Sequence, residues 1–131
     1  MVLLAFFLVQ TCDSKREIAY YSRAENYKTI SGTISYINYN EDKTGLYFEC
    51  SDLETPFTRR VFKIVGENLS IVQNKRIDEK VNVGTIICFT AAPKVFGDAY
   101  VIPIVQISVG EEELLGFEEG QSNLLKWLND R

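Results

Sequence analysis

The sequence predicts a mainly β chain folded as a small barrel of five strands, with a short helix between the third and fourth strands and a helix at the C-terminal end. Three observations carry that expectation. Residues 29–40 form a long β-rich run with a glycine near its start, the pattern of a bent first strand. Four further β-rich runs follow, separated by Gly, Pro, Asn and Asp. The apolar period changes from two to between three and four once inside this series, between the third and fourth runs. At 131 residues, with 46% hydrophobic and 24% charged positions, the chain is long enough to bury a core and is expected to form one domain.

Taken in order, the chain opens with an uncharged apolar stretch at residues 2–9, followed by Gln10, Thr11 and Cys12. Eight residues in a helix span about 12 Å, against roughly 30 Å of hydrocarbon, so a membrane-spanning helix is not expected. Length and position suit the apolar part of an export signal. Residues 2–12 resemble a bacterial lipoprotein signal, with Thr11 where such signals usually carry Gly, Ala or Ser and without the customary basic start. The resemblance implies cleavage after residue 11, a lipid on Cys12 as membrane anchor, and residues 12–28 as lipidation site and spacer. The other reading is a first hydrophobic element packed on the core, with Cys12 an inert thiol. Residues 13–28 place Tyr20, Ala24 and Tyr27 at helical spacing, a weak amphipathic helix expected to cover one mouth of the barrel.

The barrel is expected over residues 29–110. After the first strand, the polar stretch 41–45 ends in Gly45 and leads into 46–50, which reads as a hairpin. Leu46, Phe48 and Cys50 fall on one face of the second strand, Tyr47 and Glu49 on the other. In the third strand, 59–65, the inward set is open between Phe62 with Ile64 and Val61 with Val65. A short helix over 67–75 presents Leu69 and Val72, with Lys75 and Arg76 at its C-terminal end, where the helix dipole favours cations. The fourth strand is 85–91 and the fifth 100–109. Pro103 must lie at an edge, a bulge or a strand end, because it cannot donate to a ladder. This order resembles the OB-fold, a five-stranded Greek-key barrel plugged by a helix between strands three and four; the glycine turn in residues 81–89 is its most telling stretch. The final segment, 111–131, is acidic, with a capped helix from Ser122 whose Leu124, Leu125 and Leu128 share a side and dock on the barrel.

The chain has no histidine, which removes the commonest general base and metal ligand. No CxxC pair, calcium loop or phosphate loop occurs. Cys50 and Cys88 are expected to be buried free thiols, held apart by the first strand. Neither an enzyme nor a cofactor is expected. Residues 111–131 carry six acids against Lys126 and Arg131, so the net charge of −4 belongs to them and the preceding 110 residues sum to zero. A neutral body lacks the basic field that binds phosphate backbones, so nucleic acid is not the expected partner.

The OB resemblance implies a ligand face on the second and third strands and the loops joining strands one to two and four to five. By position it includes Tyr39, Tyr47, Arg60 or Lys63, Lys94 and Phe96. For the aromatics, completing the core and rim is the first expectation and ligand stacking the second. Together these readings describe an exported, lipid-anchored binding or accessory module at a bacterial cell envelope, with an unknown protein or small-molecule ligand. A soluble oligonucleotide-binding domain is the alternative, and an interaction protein acting through its C-terminal helix is the third reading.

Overall fold

The computed structural model describes residues 15–96 and 100–131. The expected export signal and Cys12 lie outside these residues, as does Asp98, which follows Gly97 and is expected from the sequence to form a turn. A helix, α1, covers residues 15–21, followed by a 3-10 turn at Ala24–Asn26. The order then runs β1 (Lys28–Tyr39), β2 (Gly45–Cys50), β3 (Val61–Val65), α2 (Glu67–Asn74), α3 (Ile77–Lys80), β4 (Ile86–Ala91), β5 (Val101–Val109), β6 (Glu112–Leu115) and α4 (Phe117–Asn129).

The barrel depends on β1 serving two partners. Its first half pairs antiparallel with β4 (Lys28 opposite Ala91 to Thr33 opposite Ile86), and its second half with β2 (Ile34 opposite Cys50 to Tyr39 opposite Leu46), with an irregularity between Ile34 and Tyr36. Gly32 sits at the handover. A Cβ there would meet the Cys50 Cβ and Sγ and the Leu53 Cδ2 at 2.9 Å each, so this close approach needs glycine. β2 continues antiparallel to β3, and β3 closes the ring by pairing parallel with β5 at Val61–Val101, Phe62–Ile102 and Lys63–Pro103. β5 also pairs antiparallel with β4, from Ala91 opposite Ile104 to Cys88 opposite Ser108. Pro103 therefore lies where β5 leaves β4 for β3, a place that requires no donor to the β4 ladder.

Alternation fills the interior. Phe62 and Ile64 point inward and are fully buried, which settles the third strand, and Val65 is buried at its end. Phe62 meets Phe89 edge-on at 4.7 Å and stacks on Phe48 at 5.4 Å, geometries that favour aromatic pairs. The expected helix after β3 is present as α2, with Leu69 and Val72 buried. A second short helix, α3, was not expected; Ile77 from it and Val81 just beyond it complete the core.

Three other features depart from the sequence reading. β6 makes a sixth strand, pairing with the end of β5, so the strand count exceeds five. The C-terminal helix begins at Phe117, earlier than Ser122, with Gly116 at its N-cap. In the N-terminal segment Tyr21 is the buried tyrosine, joined to Ala92, Val105, Leu124 and Leu128 in a second apolar cluster, while Ala24 is exposed. α1 and α4 thus cover the outer side of β5, and α1 does not close a barrel mouth. Cys50 and Cys88 are free and half-buried, less buried than expected, on strands separated by β1. Burial pushes the Cys50 thiol up to about 12, with the Asp52 charge adding to it. Among the described residues no helix is long and apolar enough to cross a membrane.

Candidate nucleic-acid interface

Because alternate side chains of β2 and β3 fill the core, the intervening ones must face out together. Tyr47 lies opposite Asn38 of β1 on one side and Lys63 of β3 on the other. Lys63 in turn is paired with Pro103 of β5, and Tyr36 lies opposite Glu49. These pairings make one outer face running across β1, β2, β3 and β5. It carries two concavities. One, of about 390 Å³, is lined by Tyr36, Asn38, Tyr39, Asn40, Tyr47, Glu49 and Val61. The other, of about 470 Å³, lies over the β3–β5 seam, between α1, α4 and the loop after β4. Tyr36 is 45% exposed and Tyr100, just before β5, 69%. The Arg60 guanidinium lies over the Tyr100 ring at 5.8 Å.

The larger concavity brings cations onto aromatic faces. Lys63 Nζ sits 4.8 Å from the Trp127 ring centre, and the Arg131 guanidinium 5.6 Å from the same ring. Lys94 Nζ is 4.9 Å from Phe96 and 5.6 Å from Tyr20. The loop holding Lys94 is fixed by its backbone N–H, which donates to the Tyr20 hydroxyl at 3.1 Å, and by Phe96 against Tyr20 and Tyr21. Trp127 is seated against Gly66, where φ is +63° and a Cβ would lie 2.9 Å from the indole Cδ1. Glu17 bonds Arg131 Nη2 at 2.7 Å. Burial lowers the Lys63 ammonium from its usual range, with Arg131 adding in the same direction.

The six residues expected to form the ligand face divide. Lys63, Lys94 and Phe96 come together at the larger concavity, Tyr47 lines the smaller, and Arg60 stands beside Tyr100. Tyr39 packs against the core and its hydroxyl donates to Asp78 Oδ1 at 2.8 Å, so it serves chiefly at the rim. Desolvation raises its phenol above the usual range, with Asp78 contributing. Tyr36, Tyr100, Arg16 and Arg131 were not singled out from the sequence, and Trp127 only as the anchor of a partner-binding C-terminal helix. Tyr36 alone had a readable signal, since it lies two residues before Asn38 on the long first strand. Exposed rings beside cations can stack planar bases and neutralise phosphates. Among the described residues no group of three or more Cys, Asp or Glu side chains is placed to hold a metal ion.

No family model matches this sequence, and no curated protein matches it. A solved structure with a similar course is that of a small single-stranded DNA-binding protein from Mycoplasma pneumoniae, at 16% identity and a TM-score of 0.44, covering 67% of this chain and 96% of that one. The expectation that nucleic acid is not a partner does not stand. It summed charge along the chain, whereas the fold sorts charge by face: Arg16, Lys63, Lys94 and Arg131 line one concavity, with Glu17 as the one acidic side chain lining it among the described residues.

Proposed function

We propose that the chain is an OB-like Greek-key barrel, extended by β6 and α4, that binds single-stranded oligonucleotides across the outer face of β1, β2 and β3. The observation that carries this reading is the outer face on which Tyr47 lies between Asn38 and Lys63 across β1, β2 and β3, with exposed Tyr36 lining the same concavity and the Arg60–Tyr100 pair just before β3 and β5. The strand order around the ring, β1–β2–β3–β5–β4, with α2 between β3 and β4, is the order in which this face serves oligonucleotides or oligosaccharides. The cations favour the charged ligand, because a neutral sugar leaves them without a counter-charge. This oligonucleotide reading takes precedence over that of an envelope accessory module.

Fluorescence anisotropy with a labelled 15-nucleotide single strand and the matching duplex tests the reading. The single strand is expected to bind preferentially. Its log Kd should change with log salt at about 0.7 per phosphate contacted. Tyr47→Ala should weaken it by about 1–3 kcal/mol, the usual worth of one stacked base. A folded protein that binds no strand at 50 mM salt sinks the proposal.

A further inference from the structure

The concavity over the β3–β5 seam has a chemistry that a strand crossing the tyrosine face does not use up. Four cationic side chains, Arg16, Lys63, Lys94 and Arg131, line it, and among the described residues Glu17 is the one acidic side chain with them. Glu17 satisfies Arg131 alone; the other three cations have no carboxylate within 4.0 Å among the described residues. Lys63 is half-buried there, with its ammonium aimed at the Trp127 ring and within the field of Arg131. Holding like charges together and partly out of water is unfavourable unless an anion joins them. A volume of about 470 Å³ suits a small ligand, and the Trp127 and Phe96 rings beside the cations offer flat apolar surface.

From this arrangement we infer that the pocket is a phosphomonoester site, seating the terminal phosphate of a bound strand among Lys63, Lys94 and Arg131, with its end nucleotide against Trp127. This rests on the oligonucleotide reading for the source of the phosphate, although the pocket itself does not. A terminal phosphate carries up to two negative charges and three free oxygens, against one charge on an internal diester, so the pocket discriminates ends from interior positions.

The test measures Kd for one ten-nucleotide sequence bearing a 5′-phosphate, a 3′-phosphate or hydroxyls only, with inorganic phosphate and a nucleoside monophosphate as separate titrants. Trp127, the single tryptophan of the chain, reports occupancy by its fluorescence. One phosphorylated end is expected to bind about tenfold tighter than the hydroxyl form. That ratio should fall to about one in Lys63→Met, which keeps the apolar stem, and in Arg131→Gln at the helix end. It should grow in Glu17→Gln, which frees Arg131; a residue with only a structural role would not produce that increase. Equal affinity for all three strands overturns the inference and leaves the tyrosine face standing. Failure of every strand to bind, together with saturable quenching of Trp127 by the monophosphate that Lys63→Met abolishes, overturns the oligonucleotide reading and upholds the phosphomonoester pocket. No response to any phosphate overturns both.

Discussion

Tyr21 shows how one side chain reports on the seam between the N-terminal helix and the barrel. Its ring is 2% exposed, packed with Ala92, Val105 and the α4 leucines, and burial, with Glu17 adding, holds its phenol well above the usual range. The sign of the linkage follows. Above about pH 10 the unfolded chain releases this proton while the folded one keeps it, so stability falls, by up to about 1.4 kcal/mol per pH unit. Lys63 acts in the opposite sense: its lowered folded value means that stability rises as pH climbs toward the unfolded value of 10.5. A comparison of variants separates the two. Urea midpoints for Tyr21→Phe and the unaltered protein should run parallel below pH 9 and diverge above pH 10 in favour of the variant. A gap that stays constant with pH would show that the Tyr21 phenol is not linked to folding. None of this was legible locally, because Tyr20, Tyr21 and Tyr27 look alike in sequence and only the docking of α1 on β5 selects the one that is buried.

At the scale of elements, the five barrel strands and α2 were readable because each carries its own period and its own punctuation. α3 has four residues and β6 has four, too short for a period to emerge, and the acidic start of β6 mimics a solvated loop. Gly120 misled in a different way. Inside a helix glycine is unfavourable, and the capped stretch beginning at Ser122 drew the helix start past it. Its role is contact: a Cβ at Gly120 would collide with the Val105 carbonyl, so glycine is what lets α4 lie directly on β5. Asn68 reinforces the same junction, donating from Nδ2 to the Gly120 carbonyl at 2.9 Å and accepting from Asn123 Nδ2 at 3.1 Å. Gly120→Ala is therefore expected to cost about 1–3 kcal/mol, since overpacking against backbone has no flexible side chain to absorb it. Gly110→Ala, with φ +59° and open space around it, should cost only about 1–2 kcal/mol for the left-handed conformation. Thermal denaturation followed by Trp127 emission distinguishes them: displacement of α4 shifts the native spectrum in Gly120→Ala and leaves it unmoved in Gly110→Ala. The candidate site was half legible for a related reason. Lys63, Lys94 and Phe96 follow from strand order, whereas Arg16, Trp127 and Arg131 reach the pocket only because α1 and α4 come together over the β3–β5 seam.

For the whole molecule, a net charge of −4 and a cationic pocket act at different ranges. The acids of the C-terminal segment produce a field that repels a strand at a distance, while the pocket and the tyrosine face act on contact. Glu111, Glu118 and Glu119 are exposed and make no ion pair among the described residues, so replacing all three with Gln changes the net charge from −4 to −1 and leaves the proposed contacts in place. Glu118 and Glu119 lie in the first turn of α4, and their loss should cost about 0.3–1 kcal/mol each in helix-dipole stabilisation, which urea denaturation would register separately. For oligonucleotide binding the expected result is faster association and tighter affinity at 20 mM salt, an advantage that vanishes near 1 M, where the Debye length is about 3 Å. Dissociation rates should be unchanged, because long-range field governs encounter and short-range contact governs escape. Stopped-flow association and dissociation of a labelled strand read the two terms independently. A triple variant that altered dissociation alone would place these carboxylates at the bound strand and relocate the interface toward α4; a change in association alone keeps it on the tyrosine face.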